Sequence, residues 1–458
     1  MAFLIGGANS LADTGYNIEN SLRFDGDSYQ SRDPSETGIT IKGNFSAWVK
    51  FATSNTEVAL FGGFDSSGAN DNDGYMVFKR TADGNLQFEG GDNVYLETTA
   101  LFRDTSAWYH IVLAIDSSNA TANNKQRIYV NGAEITAFDT RNNLTNLQDL
   151  PMNSTAGNDD RFLVGCDEDT GGRGLFFTGY MADVYWIDNN SQMAASDFGE
   201  YNDNGVWIPK DGSDISFGDK NSFKMEYGSS GNLGLDSSGL GNSLGDNAGL
   251  AATNQTTDTP TNNFCTMNPL DVGSDLRDNG SFAEGNLEVT NGATSGQADQ
   301  QRVRGTIAVT KGKWYFEMKQ IANSAGIGVL ATEAAHGGTS ANSMLVEYND
   351  GGEIRFFNGS GRTTKTTGID TFDDDDIVGC ALDMDNRRAY FHKNGTYQGD
   401  PTPDPAGSPS GAGQFGGIQT GFTMAPCMFD NSSGSAGKGS FNFGNAPFAI
   451  SSGNADGN

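Results

Sequence analysis

Cysteine, histidine and basic side chains are scarce in this chain of 458 residues. The four cysteines are Cys166, Cys265, Cys380 and Cys427. They show no Cys-x-x-Cys spacing, so we expect buried free thiols rather than disulfides or a zinc site. Lysine and arginine total 28 against 58 aspartates and glutamates, which gives a formal net charge of −30. Such a negative surface repels phosphate backbones, and nucleic-acid binding is therefore not expected.

Long apolar runs and heptad repeats are also missing. No run is long enough to span a membrane, so membrane insertion is not expected, and nothing suggests a coiled-coil stalk. The opening MAFLIGGANS lacks a basic region, and its apolar part is too short for a signal peptide. We therefore predict that residues 1–20 form an extended arm, and that the protein is made in a reducing cytoplasm.

Glycine and aromatic residues are plentiful, with 62 glycines and 29 phenylalanines. This composition indicates many short strands joined by tight turns. Two hairpin patterns, at 108–135 and 377–395, alternate apolar and polar residues and end their return strands in Asn-Gly. Because these hairpins lie far apart in the sequence, we predict two β domains, each with its own core.

The first domain is predicted over 21–250. Its strand sequences SLRF (21–24), FSAWVKF (45–51), WYHIVLAID (108–116) and FTGYMADVYWID (177–188) follow one another in that order. In this order they resemble the laminin-G-like branch of the concanavalin A-type jelly roll. The resemblance covers roughly 20–190 and implies an antiparallel β-sandwich.

The second domain is predicted over 281–448. The runs GKWYFEM (312–318), IVGCALDMDNRRAYFHKNG (377–395) and MAPCMF (424–429) resemble a SPRY domain, a bent β-sandwich that recognises its partners through loops. Residues 251–280 are rich in Thr, Asn, Asp and Gly and are predicted to be a polar linker, and 449–458 a flexible tail. The expected fold class is therefore all-β, with two antiparallel sandwiches joined by a linker.

Catalytic residues are not predicted. Some concanavalin A-type folds are glucanases, which place two carboxylates on one strand face, but the Glu-x-Asp-x-Glu pattern of that family is absent. The three histidines, His110, His336 and His392, lie far apart in the sequence and do not suggest a shared catalytic base. A glycan-degrading enzyme is kept as an alternative.

The sequence indicates no required cofactor, but it allows a bound calcium ion. Hard cations prefer oxygen ligands from loops, and laminin-G-like domains often carry calcium at a loop rim. The candidate ligands are Asp65, Asp71, Asp73, Asp167 and Asp169. An Asp-x-Asp-Gly run is also typical of a hairpin turn, and that interpretation stays open.

Ligand contacts are predicted at aromatic and basic residues near turns. Tyr75, Tyr95 and Trp207 are candidates for stacking on sugar rings in the first domain, with a place in the core as the alternative. Arg302 and Arg304 are candidates for a binding rim in the second domain, with solvated charge as the alternative.

The chain resembles virion-associated and tail-fibre-type proteins of marine tailed bacteriophages. The resemblance lies in the order of the two domains, the acidic balance and the linker TTDTPTNNF (256–264). The resemblance implies a non-enzymatic structural protein, a fibre or surface decoration, assembled in the bacterial cytoplasm and displayed on the virion surface. It would bind host-surface glycan or protein, attach to other virion proteins through the N-terminal arm, and form a homo-oligomer, most simply a trimer. A purely structural decoration without a ligand is the main alternative.

Overall fold

Strands dominate the structure, a computed structural model. It describes residues 16–65, 74–91, 93–153, 155, 161–169, 171–189, 191–218, 220–292, 302–334, 336, 344–358, 362–399, 415–416, 418, 420–430 and 435–448. The chain divides between Asn263 and Phe264 into two compact units, which we call the first unit and the second unit. No helix in these residues is long and apolar enough to cross a membrane.

The first unit is a sandwich of two antiparallel sheets. Its strands are β1 (Ser21–Asp25), β2 (Tyr29–Arg32), β3 (Lys42–Phe51), β4 (Val58–Phe64), β5 (Tyr75–Arg80), β6 (Asn85–Gly90), β7 (Asn93–Leu101), β8 (Tyr109–Asp116), β9 (Gln126–Val130), β10 (Ala133–Glu134), β11 (Phe138–Arg141), β12 (Arg161–Val164), β13 (Asp167–Asp169), β14 (Gly172–Gly174), β15 (Thr178–Ile187), β16 (Gly199–Tyr201), β17 (Trp207–Pro209), β18 (Phe223–Met225), β19 (Gly245–Asn247) and β20 (Gln255–Thr256). Sheet I has the order β10-β9-β8-β3-β15-β1-β20, with β18 also paired to β15. Sheet II has the order β11-β7-β6-β5-β4-β12-β2-β19. Two short hairpins, β13–β14 and β16–β17, lie outside these sheets.

An aromatic stack joins the two sheets through the core. Phe45 of β3 stacks on Phe61 of β4 with ring centroids 5.0 Å apart, and Phe61 stacks on Trp186 of β15 at 4.8 Å. Trp186 Nε1 donates to Asn153 Oδ1 at 3.0 Å, so the buried indole has its hydrogen-bond partner. Gly43 leaves room for the indole, because a Cβ there would lie 2.3 Å from the Trp186 ring.

The second unit has the same architecture. Its strands are β21 (Met267–Val272), β22 (Ser281–Ala283), β23 (Glu288–Thr290), β24 (Arg302–Gly305), β25 (Lys313–Ala322), β26 (Ala325–Ala331), β27 (Met344–Asn349), β28 (Glu353–Asn358), β29 (Arg362–Thr367), β30 (Ile377–Asp383), β31 (Arg388–Lys393), β32 (Thr396–Tyr397), β33 (Phe415–Gly416), β34 (Met424–Asp430) and β35 (Lys438–Asn442), and α1 (Ser274–Asn279) is a short helix. Sheet III has the order β21-β24-β34-β26-β27-β28-β29. Sheet IV has the order β22-β23-β35-β25-β30-β31-β32, with β33 paired to β31. Met318, Val329, Phe391 and Met428 lie in the core of this unit.

The all-β fold with antiparallel sheets is as the sequence predicted. Both Asn-Gly hairpins are present, and Asn131 and Asn394 each adopt a φ of 47° ahead of a glycine with positive φ. All four cysteines are buried free thiols.

The prediction of a polar linker over 251–280 is wrong. Within it, β20 pairs with β1 in the first unit, and β21 pairs with β24 in the second. The polar composition suggested exposure to solvent, but Asp258, Thr259 and Thr261 are buried. Their side chains serve as internal hydrogen-bonding groups, so composition alone misled the prediction.

A third layer covers the outer face of sheet I, the face turned away from the core. Ile18 is buried there, and its N–H donates to Thr261 Oγ1 at 3.2 Å. The end of the predicted arm, residues 16–20, therefore packs on the sandwich. Residues 1–15 of that arm and the predicted tail at 449–458 lie outside the described residues.

A buried ion pair fastens this layer to sheet I. Lys50 Nζ lies 2.8 Å from Asp258 Oδ2, and the two side chains are 1% and 3% exposed. Asn263 Oδ1 accepts a second hydrogen bond from Lys50 Nζ at 2.8 Å, and Trp108 Nε1 donates to Asp258 Oδ1 at 3.2 Å. Because each charge has several partners, the pair is compensated inside the protein.

Asp258→Ala is expected to destabilise the first unit by about 3–5 kcal/mol, because it leaves the Lys50 ammonium buried without its counter-charge. Urea unfolding followed by tryptophan fluorescence measures this loss. Asp203→Ala, which removes an exposed carboxylate of the same unit, is the control and should change the stability by less than about 0.5 kcal/mol. Equal stability of the two variants would contradict the assigned role of the ion pair.

Candidate functional site

A polar network occupies the outer face of sheet II. Met76 and Phe78 of β5 point into the core, so the alternation of the strand turns Tyr75 and Lys79 outward. On the neighbouring strand β6, Glu89 lies on the same outer face. We call Tyr75, Lys79, Glu89 and Asp167 the Lys79 cluster.

The cluster is organised around one ammonium group. Lys79 Nζ lies 2.8 Å from Glu57 Oε1 and 2.5 Å from Glu89 Oε1. Burial lowers the pKa of Lys79, but the hydrogen bonds to the two glutamates more than offset this, so the pKa is raised. Tyr75 Oη donates to Glu89 Oε1 at 2.7 Å, and burial together with that bond raises the pKa of the phenol. The side chains are thus held in fixed orientations, while Glu57 remains 37% exposed.

Asp167 borders the cluster from the β13–β14 hairpin. This hairpin lies directly on sheet II at Gly62, where a Cβ would come within 3.7 Å of the Asp167 Cα. Burial, helped by the charge of Asp169, raises the pKa of Asp167 to about 6, although Lys79 opposes the shift. Its Oδ1 is buried and has no hydrogen-bond partner among the described residues.

The predicted calcium ligands are only partly brought together. Asp71 and Asp73 lie outside the described residues. Asp65 is buried after β4, whereas Asp169 is exposed and its Oδ1 accepts from Gly171 N–H at 2.6 Å. Calcium takes six to eight oxygen ligands, and the described residues contain no group of three His, Cys, Asp or Glu able to hold a metal ion. These residues alone therefore do not fit a calcium site.

Tyr95 is a core residue rather than the ligand contact that we predicted. Its ring packs on Phe88 with centroids 5.6 Å apart, and its hydroxyl accepts from Gln148 Nε2 at 2.8 Å inside the first unit. The bulge between β6 and β7 interrupts the simple alternation that sequence reasoning assumes, so the buried face could not be assigned from the pattern.

Arg302 and Arg304 do not form the predicted binding rim. Both are buried, at 2% and 3% exposure. Arg302 Nη1 donates to the His336 carbonyl oxygen at 2.9 Å, and its Nη2 lies 3.6 Å from the buried Glu347. Arg304 Nη1 donates to Asp271 Oδ1 at 2.8 Å. Guanidinium groups suit such buried pairing because several donors are satisfied at once.

Trp207 is half-buried on the outer face of sheet I, where the β16–β17 hairpin places it. Its Nε1 donates to His110 Nδ1 at 3.1 Å, and the two rings stack at 5.8 Å. Tyr201, which the sequence analysis missed, packs edge-on against Trp207 at 4.9 Å. The NDNG turn at 202–205 lies between two aromatic residues, and this pattern could have predicted a hairpin that carries Tyr201.

The histidines are structural, and two of them are buried as neutral rings. Burial lowers the pKa of His110 to about 3 and that of His392 to about 4. Since His110 Nδ1 accepts from Trp207, Nε2 carries the proton and donates to Ser46 Oγ at 2.9 Å. His110 lies in the first unit, and His336 and His392 lie in the second.

Acid is expected to weaken the first unit through His110. Its pKa is about 3 in the folded chain and near 6.5 when unfolded, so stability is lost as the pH falls below 6.5. Between pH 6.5 and 4.5 the free energy of unfolding should fall by about 2 kcal/mol more in the wild type than in His110→Gln, because each pKa unit corresponds to about 1.4 kcal/mol. Urea unfolding of both proteins at each pH measures the difference.

The raised pKa values of Asp167 and Asp183 act in the opposite direction, because their protonation in acid favours the folded state. Both groups are present in both proteins, so their effect cancels in the comparison. An equal fall in the free energy of unfolding of the wild type and of His110→Gln would refute the role assigned to His110.

Comparison with known proteins assigns a family resemblance to the first unit. Residues 26–190 match the family model of the concanavalin A-like lectin/glucanases superfamily, a stretch that runs from before β2 to beyond β15. No curated protein matches the sequence of the chain.

Among solved structures, the SPRY domain of human HERC1 is 18% identical and covers 38% of this chain and 96% of its own, with a TM-score of 0.25. A heptameric SAP-like pentraxin from Limulus polyphemus is 13% identical and covers 46% of this chain and 93% of its own, with a TM-score of 0.30. A candidate carbohydrate binding protein from Bacteroides ovatus is 18% identical and covers 45% of this chain and 56% of its own, also at 0.30. The first unit is therefore similar to the concanavalin A-like lectin/glucanases superfamily over 26–190, and SPRY domains are among the structural neighbours of the chain.

Proposed function

We propose that the chain is a non-enzymatic adhesion protein of a bacteriophage particle, and that its first unit binds host-surface glycan. The observation that carries the binding role is the Lys79 cluster, an ordered set of hydrogen-bonding side chains on the outer face of a lectin-type sandwich. The virion role rests on the resemblance in domain order described above.

The chemistry of the cluster suits sugar hydroxyls. The exposed carboxylate of Glu57, which borders the cluster, accepts hydrogen bonds, and the half-buried ring of Tyr75 offers an apolar surface for the C–H face of a sugar. The contacts among Lys79, Glu89 and Tyr75 hold these groups in place before a ligand arrives, which reduces the entropy lost on binding. The net charge of −30 favours uncharged glycans over acidic ones.

A binding role is better supported than hydrolysis. A glycosidase needs a pair of carboxyl groups, one to donate a proton and one to act as base or nucleophile. In the Lys79 cluster, Glu89 is instead bonded to Lys79 and Tyr75, which occupy it as a structural acceptor. The Glu-x-Asp-x-Glu pattern of the glucanases is also missing from the sequence.

The purified chain should bind a subset of bacterial surface polysaccharides. Lys79→Met should weaken this binding about tenfold or more, because the ammonium orients two carboxylates and hydrogen bonds to charged groups contribute about 1.5–3 kcal/mol. Lys42→Met is the matched control, since Lys42 forms its ion pair with Asp116 on sheet I instead. Thermal unfolding establishes that both variants are folded.

The same measurement with calcium and then with EDTA tests the metal prediction. Loss of binding in EDTA would support an oxygen-ligand site that combines Asp65, Asp167 and Asp169 with Asp71 and Asp73. Binding that persists in EDTA would discard the metal and keep the lectin role. A folded chain that binds no glycan would favour a purely structural decoration.

Attachment to other virion proteins is proposed to use the N-terminal arm, in a homo-oligomer for which a trimer is the simplest state. Because Tyr16 and Ile18 contact the sandwich, a deletion of residues 1–15 isolates the arm better than one of 1–20. We expect this deletion to leave the melting temperature and the glycan binding unchanged but to prevent incorporation into particles. Normal incorporation of the truncated chain would contradict the role of the arm.

A further inference from the structure

The β16–β17 hairpin carries an exposed apolar surface outside the lectin-type region, which ends at residue 190. Tyr201 is 57% exposed and Val206 is 47% exposed, although both are large apolar side chains. They lie at the end of the hairpin next to Trp207, because Tyr201 pairs with Trp207 and the Asn202 N–H donates to the Val206 carbonyl oxygen at 2.9 Å. We call Tyr201, Val206 and Trp207 the hairpin ledge.

The turn that carries the ledge is well fixed. Asn202 Oδ1 accepts from the backbone N–H groups of Asn204 at 3.0 Å and Val206 at 2.9 Å. Gly205 adopts a φ of 73°, which glycine reaches without strain, and its N–H donates to the Asn202 carbonyl oxygen at 2.8 Å. The end of the hairpin is therefore a closed, hydrogen-bonded loop.

The two rings are also fixed. Tyr201 Oη donates to the Asn131 carbonyl oxygen at 3.1 Å, and Trp207 Nε1 is held by His110. Trp207 fits closely over Gly132 and Gly199, where an added Cβ would lie 2.4 Å and 2.5 Å from the indole. The rings thus lose little freedom when a ligand packs on them, which is the condition for a useful stacking surface.

Polar groups flank the ledge in the way that a sugar requires. Asp203 and Asn204 are exposed in the turn of the same hairpin and can exchange hydrogen bonds with hydroxyl groups, and Glu200 is exposed on the other face of β16. The two carboxylates repel anionic ligands, whereas an uncharged pyranose offers an apolar C–H face to an aromatic ring and hydroxyls to its rim.

We propose that the hairpin ledge is a second carbohydrate site, which stacks one uncharged pyranose ring on Tyr201. The proposal rests on the proposed glycan-binding function and adds a contact that the Lys79 cluster does not provide. The ledge packs on sheet I, whereas the Lys79 cluster lies on sheet II, so the two sites engage separate glycan chains. On a glycan-coated surface, two weak sites on one unit raise the overall avidity.

The test measures the apparent dissociation constant of the full chain on a surface coated with an uncharged bacterial polysaccharide, where both sites contribute to the avidity. Tyr201→Ala should weaken binding about tenfold, and Tyr201→Phe should stay within about twofold of the wild type because it keeps the ring. Leu147→Ala, which removes another large exposed apolar side chain of the first unit, is the matched control and should bind as the wild type does. Saturating ligand should also change the tryptophan emission of the wild type, and Trp207→Phe should abolish that change.

The outcomes separate this proposal from the proposed function. If Lys79→Met weakens binding and Tyr201→Ala does not, the ledge is not a sugar site and the glycan-binding function stands. If the folded wild type binds none of the polysaccharides, both fail. If Tyr201→Ala changes only the oligomeric state seen by light scattering, the ledge is a contact between copies of the chain and the proposal is overturned.

Discussion

The alternation of side chains along antiparallel strands is the constraint on which the rest of the first unit depends. On β3, Phe45 and Phe51 face the core, while the same geometry turns Trp48 and Lys50 outward. One strand therefore builds two surfaces at once, an apolar interior shared with sheet II and an outer face available for other uses. On sheet I that outer face is covered by a third layer, and on sheet II it carries the Lys79 cluster.

The strands and hairpins could be predicted because they depend on local pattern and turn chemistry. The third layer could not be predicted, since its contacts join residues that are far apart in the sequence, 208 positions in the case of Lys50 and Asp258. For the same reason Arg302 looked like a solvent-exposed rim residue, although Glu347 from a distant strand is buried beside it. Periodicity predicts which residues share a face, but it does not predict what covers that face.

Only part of the candidate site could be predicted from the sequence. Tyr75 was predicted as a ligand contact, whereas its partners Lys79 and Glu89 were missed. Lys79 lies four residues after Tyr75 on one strand, so both share a face, but Glu89 reaches them only through the register between β5 and β6. The raised pKa of Asp167 likewise depends on burial under a hairpin that no local pattern predicts.

Hydrogen–deuterium exchange of the full chain with and without a bound polysaccharide tests the central claim, glycan binding by the first unit, most directly. If the first unit binds glycan, backbone amides in β5, β6 and β13, and in the β16–β17 hairpin, should exchange more slowly at saturating ligand. Slower exchange confined to residues 264–448, or no change anywhere in a chain that is saturated with glycan, would contradict it.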